Sequence, residues 1–218
     1  MQQPVDSKTF IVDFYARLFG VLRWISPFSL LRLIPWTRNP TRAWLIVEVW
    51  VIGHTALAIA ASIVSYMDIS RSLSLGLVIY GALRVFEIVI YQINVLFFDQ
   101  YRAIKARGTY CIRGYIRMVV ILLHNYAEIA FWFISGLFVL RQCRYLQAEM
   151  GSYLSAVRAG FLSMVSFSFE GVTPLCGISS LVLLLHSVIG IFMTVLLLGR
   201  FLGLMPNPKS LDPTEVEK

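Results

Sequence analysis

Charge is what this sequence is short of. Only 14% of its 218 residues are Asp, Glu, Lys or Arg, where an ordinary soluble chain carries about a quarter. The same chain is 58% hydrophobic, with a mean hydropathy of +0.73. A water-soluble globule is excluded, because a core of this size cannot hide that much apolar surface. Cysteine is scarce too. Cys111, Cys143 and Cys176 are odd in number and far apart, which excludes a disulfide framework and any metal-ligand spacing and leaves them as core or interfacial thiols. No nucleotide-binding glycine motif, internal repeat or low-complexity tract is found. No Ser/His, Cys/His or paired-Asp constellation points to catalysis, so the expectation is no enzyme, no cofactor and no metal.

What is present is apolar sequence in runs of membrane-spanning length. Four are legible: Ala43 to Ser65, Leu73 to Phe98, Tyr115 to Leu140 and Ile178 to Met205. Each clears the roughly 20 residues needed to cross about 30 Å of hydrocarbon. Before them, "TFIVDFYARLFGVLRWISPFSLLRLIPW" mixes aromatics with Asp13, Arg17, Arg23 and Arg32 and is broken by Pro27 and Pro35. That pattern predicts a helix lying in the membrane interface, with Trp24 and Trp36 at headgroup depth, in contact with membrane lipids. A cleaved signal peptide is not expected, because Asp13 and Arg17 interrupt any h-region. After Met205 the polar "PNPKSLDPTEVEK" predicts a disordered tail. The division is therefore 1–42 interfacial, 43–114 two peripheral spans with a basic loop, 115–205 a third unit, and 206–218 tail.

The net charge of +7 belongs to this picture and not to direct nucleic-acid binding, since the basic residues flank apolar spans instead of forming a stripe. Lys8, Arg17, Arg23, Arg32, Arg38 and Arg42 precede the first span. The first loop holds Arg71 alone, the second Arg102, Lys105, Arg107 and Arg113, and the longer third Arg141, Arg144 and Arg158. Arg200, Lys209 and Lys218 close the chain. The alternation predicts cytoplasmic N and C termini; a bacterial inner membrane is the expected location.

The third loop is not uniformly polar. From Tyr153 to Ser168 it is apolar enough for a helix of about four turns but too short to span. Pattern alone leaves two readings open: an amphipathic helix outside the bilayer, or a re-entrant element of the kind tolerated where it is buried in protein or lines water.

Residues 156–203, "AVRAGFLSMVSFSFEGVTPLCGISSLVLLLHSVIGIFMTVLLLGRFLG", resemble the pore module of the tetrameric potassium-channel superfamily. Thr173-Pro174 matches the pair after that family's filter, and Ile189-Gly190 its inner-helix hinge. Ser166 falls on the filter threonine, 24 positions before Gly190, which is the family's spacing, and Leu197, Arg200 and Gly203 fit its inner-helix ending. The filter itself departs. Val-Gly-Tyr-Gly-Asp is replaced by Phe167, Ser168, Phe169, Glu170 and Gly171, and His186 stands where many members carry glutamate. Both filter glycines are lost, which argues against a carbonyl-lined potassium filter. Composition and the four runs predict an all-α integral membrane protein with four transmembrane helices; the resemblance implies in addition a re-entrant pore helix and loop between helices 3 and 4, and a channel-like homotetramer hinged at Gly190. Four copies of Glu170 would then make a carboxylate ring, loosely cation-selective; otherwise Glu170 caps a turn in external water.

Ionisable residues inside spans are functional suspects whose common explanation is pairing. Arg84 and Glu87 are i, i+3 and share a helix face; Glu48, His54, His124 and Glu128 are expected to join a buried polar network. A proton relay or sensor is the functional rival. No Arg-every-third series supports a voltage sensor, and His124 with Glu128 lacks further metal ligands. Gly199 and Gly203 form a small-xxx-small pair for close helix approach. The expected function is thus a cation-channel-like homotetramer. The alternative is a non-conducting sensor subunit that signals to a cytosolic effector protein. By architecture alone the chain is similar to four-span subunits of bacterial phage-defence systems such as Kiwa. A transporter finds no support, since no repeat is present.

Overall fold

The computed structural model describes residues 10–28, 43–106, 114–166, 168–169 and 171–204. Among these, four helices are long and apolar enough to cross a bilayer, and the architecture is that of an all-α, multi-pass membrane protein. Helix α1 is Phe10–Leu22, α2 is Ala43–Tyr66 and α3 is Arg71–Ile93. A π-helical segment, Asn94–Phe98, joins α3 to α4, Asp99–Lys105. Then come α5, Tyr115–Gln142, strand β1, Leu146–Ala148, and the short α6, Tyr153–Ser166. Strand β2, Val172–Pro174, leads into α7, Gly177–Leu202. Trp36, Cys111, Phe167, Glu170 and the tail from Met205 onward lie outside the described residues, as do Arg32, Arg38, Arg42, Arg107 and Arg113.

Helix α5 is the centre of the bundle: 50% of its apolar window is buried, against 22% for α7. Lipid tails are as apolar as leucine, so helices in a bilayer associate through close packing and hydrogen bonds and not through the hydrophobic effect. The α2–α5 seam follows that rule. Ala58, Ala61, Ser62 and Ser65 of α2 are fully buried and small, which lets α5 approach. Ser65 Oγ lies 2.8 Å from Ser135 Oγ, and Ser135 also reaches the Ala61 carbonyl at 3.4 Å. Beyond the seam, Ile129, Trp132 and Leu122 of α5 meet Ile88 of α3 and Met193 of α7 in one core. A second core, Ile134, Phe138 and Ala156, lies under α6.

The second span differs from the sequence expectation. It was expected to end at Phe98 and give way to a basic loop, but helix continues through the π segment to Lys105, 35 residues in all. At about 1.5 Å per residue that exceeds the roughly 30 Å of hydrocarbon. Two of the charges that suggested a loop, Arg102 and Lys105, are satisfied on the helix and by α1. Arg102 donates to Asp99 Oδ1 at 2.8 Å, to Asn94 Oδ1 at 2.6 Å and to the Ala16 carbonyl at 3.0 Å. Asn94 Nδ2 in turn donates to the Phe19 and Ile90 carbonyls, at 3.1 and 2.8 Å. Asp13 of α1 accepts from Lys105 Nζ at 2.5 Å and from Tyr101 Oη at 2.7 Å. Helix α1 is therefore fastened to the end of the second span by polar contacts, while Phe10, Ile11 and Trp24 stay exposed.

At the opposite end, β1 and β2 pair antiparallel with Leu146 opposite Pro174 and Ala148 opposite Val172. Glu149 N–H donates to the Gly171 carbonyl at 3.0 Å, and Leu175 N–H to the Tyr145 carbonyl at 2.9 Å. The ribbon ties the start of α6 to the start of α7. Cys143 and Cys176 are both free thiols there.

Candidate functional site

Helix α6 lies between α5 and α7, and its contacts advance in step with both. Near its start, the Tyr153 hydroxyl is 2.8 Å from Ser62 Oγ, and Ala156 packs in the cluster of Phe138. One turn on, Gly160 faces Ile134 so closely that a Cβ would come 2.4 Å from Ile134 Cγ1. Next, Ser163 Oγ meets His186 Nε2 at 2.9 Å, and at the end the Met164 carbonyl accepts from Thr194 Oγ1 at 3.3 Å. His186, Gly190 and Thr194 stand about 14, 20 and 26 Å along α7 from Gly177 at 1.5 Å per residue. The chain then returns within six residues from Ser166 to Val172.

Ser163 Oγ lies within hydrogen-bond reach of both the Gly160 carbonyl, at 2.8 Å, and His186 Nε2, at 2.9 Å. With the hydroxyl hydrogen on the Gly160 carbonyl, Ser163 accepts from His186 Nε2–H; with that hydrogen on Nε2, the imidazole is the acceptor. His186 Nδ1 is buried without a partner among the described residues. Phe133 meets the imidazole edge-to-face at 4.3 Å, and Phe169 lies against it at 4.9 Å. His186 thus backs Phe169 from within the bundle.

The filter-like residues divide between two sides. Ser166 ends α6 with its hydroxyl on the Leu162 carbonyl at 2.8 Å and is exposed beside exposed Ser168. Phe169 turns inward to His186. Gly171 has φ +68°, a conformation that side chains with a Cβ resist. Phe167 and Glu170 are outside the described residues, so neither the ring nor the turn-capping reading of Glu170 is placed. With Ser155 and Arg158, Ser166 and Ser168 line a cleft of about 430 Å³ on the side of α6 away from α5 and α7. Gly190 faces the Met164 backbone, whereas nothing stands within 4 Å of a Cβ on Gly199. A Cβ on Gly203 would meet only its own preceding turn.

The intramembrane charges form two groups instead of one network. Arg84, Glu87 and Glu128 are 3%, 5% and 0% exposed and come together. Arg84 Nε donates to Glu128 Oε1 at 2.8 Å and Nη2 to Oε2 at 3.2 Å, a bidentate pair, while Nη1 bonds Glu87. Trp132 Nε1 adds a donor to Glu128 at 3.3 Å. Glu87 also accepts from the Ser26 hydroxyl and, at 2.7 Å, from the Phe28 amide. Glu48 and His124 do not join them. Glu48 pairs with Arg117 at 2.8 Å, and His124 Nδ1 donates to the Val120 carbonyl of its own helix at 2.9 Å, while lining a cavity with Glu48 and Arg117. His124 and Glu128 were expected in one buried network, but Arg84 on the facing helix takes both oxygens of Glu128. His54 is occupied separately, by the Trp50 carbonyl at 2.7 Å and Tyr80 Oη at 2.6 Å. Among the described residues no group of three His, Cys, Asp or Glu is placed to hold a metal.

Ser26, Phe28, Arg117 and Ser163 were not singled out from sequence. Their types carry no signal alone, since a serine beside a proline or an arginine flanking a span is ordinary. No family model, curated protein or solved structure matches this chain.

Proposed function

We propose that the protein is a homotetrameric, channel-like membrane protein in which α6 and the segment after it form a re-entrant element around a hydrated axis. The observation that supports this reading is the position of α6. It runs beside two spanning helices to the level of Thr194, and at that end Ser166 and Ser168 remain exposed. Polar side chains and irregular backbone facing hydrocarbon at that depth would each cost several kcal/mol, on the order of 2–7 for an unpaired polar group. Water or neighbouring copies would remove the cost, and closed symmetry supplies both. Glu170, four times repeated, would attract cations loosely, and loss of the filter glycines argues against potassium selectivity. Both termini would lie in the cytoplasm, with α1 in the interface and its exposed aromatics in lipid.

Native mass spectrometry and planar-bilayer recordings of the purified protein with sodium, potassium and calcium test the proposal. A tetramer passing cations without potassium preference is expected; a monomer or a twofold dimer in both detergent and lipid would end it.

The second reading, a sensor subunit that signals to a cytosolic effector, is favoured by one contact. Ser26 and Phe28 of the N-terminal segment satisfy a carboxylate buried in the bundle, so displacing that segment would leave Glu87 short of two donors. A protein that forms tetramers but passes no ion under any condition fits this reading.

A further inference from the structure

The exposed face of α6 borders the cleft of about 430 Å³. Ser155, Arg158, Leu162 and Ser166 line it at spacings of three and four residues, so they share one face of that helix. Glu149 and Met150, which follow β1, and Val172 of β2 line it as well. Glu149 is held in place by its own N–H, which donates to the Gly171 carbonyl at 3.0 Å. Two of these side chains carry opposite charges. Arg158 and Glu149 are both exposed, and neither has an ion-pair partner among the described residues. We infer that the cleft binds a small zwitterion, an α-amino acid with an aliphatic side chain, whose carboxylate meets Arg158 and whose ammonium meets Glu149.

Charge chooses the class. A simple anion in this cleft would face the like charge of Glu149, and a simple cation that of Arg158, whereas a zwitterion finds a counter-ion for each end. Arginine and glutamate side chains are long and rich in rotamers, so each can turn to a ligand lying between them. Direct pairing of the two competes weakly, because an exposed ion pair gains little. The guanidinium fork suits a carboxylate, which it can meet with two parallel hydrogen bonds, and a carboxylate accepts what an ammonium donates. Ser155, one turn before Arg158, places a hydroxyl on the same face as a further donor. The aliphatic part follows from Met150, Leu162 and Val172, which give the cleft an apolar surface beside its charges. Its volume lies in the range of about 300–1,000 Å³ usual for small-molecule sites. All these residues belong to one chain, so the inference does not rest on fourfold assembly.

The test uses L-leucine as probe, titrated against the full-length protein in lipid nanodiscs and read by saturation-transfer NMR, with empty nanodiscs as the correction for lipid. Two fragments of the probe serve as controls: 4-methylpentanoate lacks the ammonium, and 3-methylbutylamine lacks the carboxylate. We expect saturable binding of leucine, with each fragment about fivefold weaker or more. Arg158→Gln and Glu149→Gln should each weaken leucine about fivefold, the loss of one charge-assisted contact on an exposed site. Their effects on the fragments should be opposite: Arg158→Gln weakens 4-methylpentanoate alone, and Glu149→Gln weakens 3-methylbutylamine alone. The inference is overturned if leucine shows no saturable signal above empty nanodiscs, which means that the two charges are merely hydrated. Leucine binding no tighter than the fragments, or binding untouched by both substitutions, overturns it as well. Should either variant lose its native helicity, the comparison of leucine with its fragments on the unaltered protein still decides. A monomer that binds leucine would end the channel reading and leave this one standing; a tetramer that does not would do the reverse.

Discussion

The Gly190 Cα faces the backbone of Met164 so closely that a Cβ there would sit 3.0 Å from the Met164 carbonyl oxygen and 3.1 Å from its Cα. Both obstacles are main chain, so neither can rotate away. Gly190 is required here by close approach of α6, whatever bending α7 also undergoes. Gly190→Ala should force α6 to shift by a few tenths of an ångström and cost about 1–3 kcal/mol, the usual range for overpacking. Gly190→Val should abolish recovery of folded protein. Thermal unfolding in detergent measures both, with Gly199→Ala, which meets open space within the protomer, as the control. An unchanged melting temperature for Gly190→Val would show the contact to be incidental.

The Arg84–Glu87–Glu128 cluster predicts an order among variants. Removing Arg84 alone leaves two carboxylates facing each other in a dry core, so Arg84→Met should destabilise by about 3–5 kcal/mol. Adding Glu87→Gln and Glu128→Gln removes both charges while keeping acceptors for Ser26, Phe28 and Trp132, and should recover most of the loss. Chemical or thermal unfolding of the three-site variant beside Arg84→Met reads this directly. A triple variant no more stable than the single one would mean that shape, not charge, holds the site.

Much of this was legible in the sequence, and the limits have a physical cause. Spans were readable because a bilayer imposes length and apolarity on each run locally. The pairing of Arg84 with Glu87 was readable because i, i+3 spacing is local too. Glu128 as the second partner of Arg84, Arg117 as the partner of Glu48, and Ser26 as a donor to Glu87 depend on which helices lie side by side, 44, 69 and 61 residues apart. Nothing in a single sequence encodes that adjacency. The β1–β2 ribbon was missed for a different reason: three residues per strand give no alternation to detect. Continuation of helix to Lys105 was missed because Arg102 and Lys105 were counted as loop charges, when α1 supplies their partners.

Helix α1 offers a pH test outside the spans. The hydrogen bond from Lys105, and after it that from Tyr101, hold the Asp13 carboxyl below its usual 3.8. A depressed carboxylate contributes fully above the ordinary value and loses its contribution as pH falls through the lower, folded one. Docking of α1 should therefore be constant from neutral pH down to the ordinary carboxylate range and loosen only below it. The pair is exposed, so the effect is small. A pulsed-EPR distance between labels at Leu18 and Ile104 should broaden at the acid end, and Asp13→Asn should show that broadening already at neutral pH. A distance that loosens between pH 7 and 5 would point to another group.

Glu170 remains the sharpest test of the proposed axis. A carboxylate ring draws cations by charge, without the close coordination that strips their water, so its effect depends on charge more than on shape. Glu170→Gln keeps the size and removes the charge. Cation conductance in planar bilayers should fall, and divalent cations should lose more than monovalent ones, because attraction scales with the charge of the ion. Glu170→Asp retains the charge on a shorter arm and should retune the preference among ions without abolishing conductance. A residue that caps a turn in bulk water predicts small changes for both, since an exposed charge is screened. Equal conductance in Glu170→Gln and the unaltered protein would remove Glu170 from the pathway. A tetramer that is silent in every variant would leave the scaffold without ion flow, and the contact of Ser26 and Phe28 with Glu87 would become the place to look for its signal.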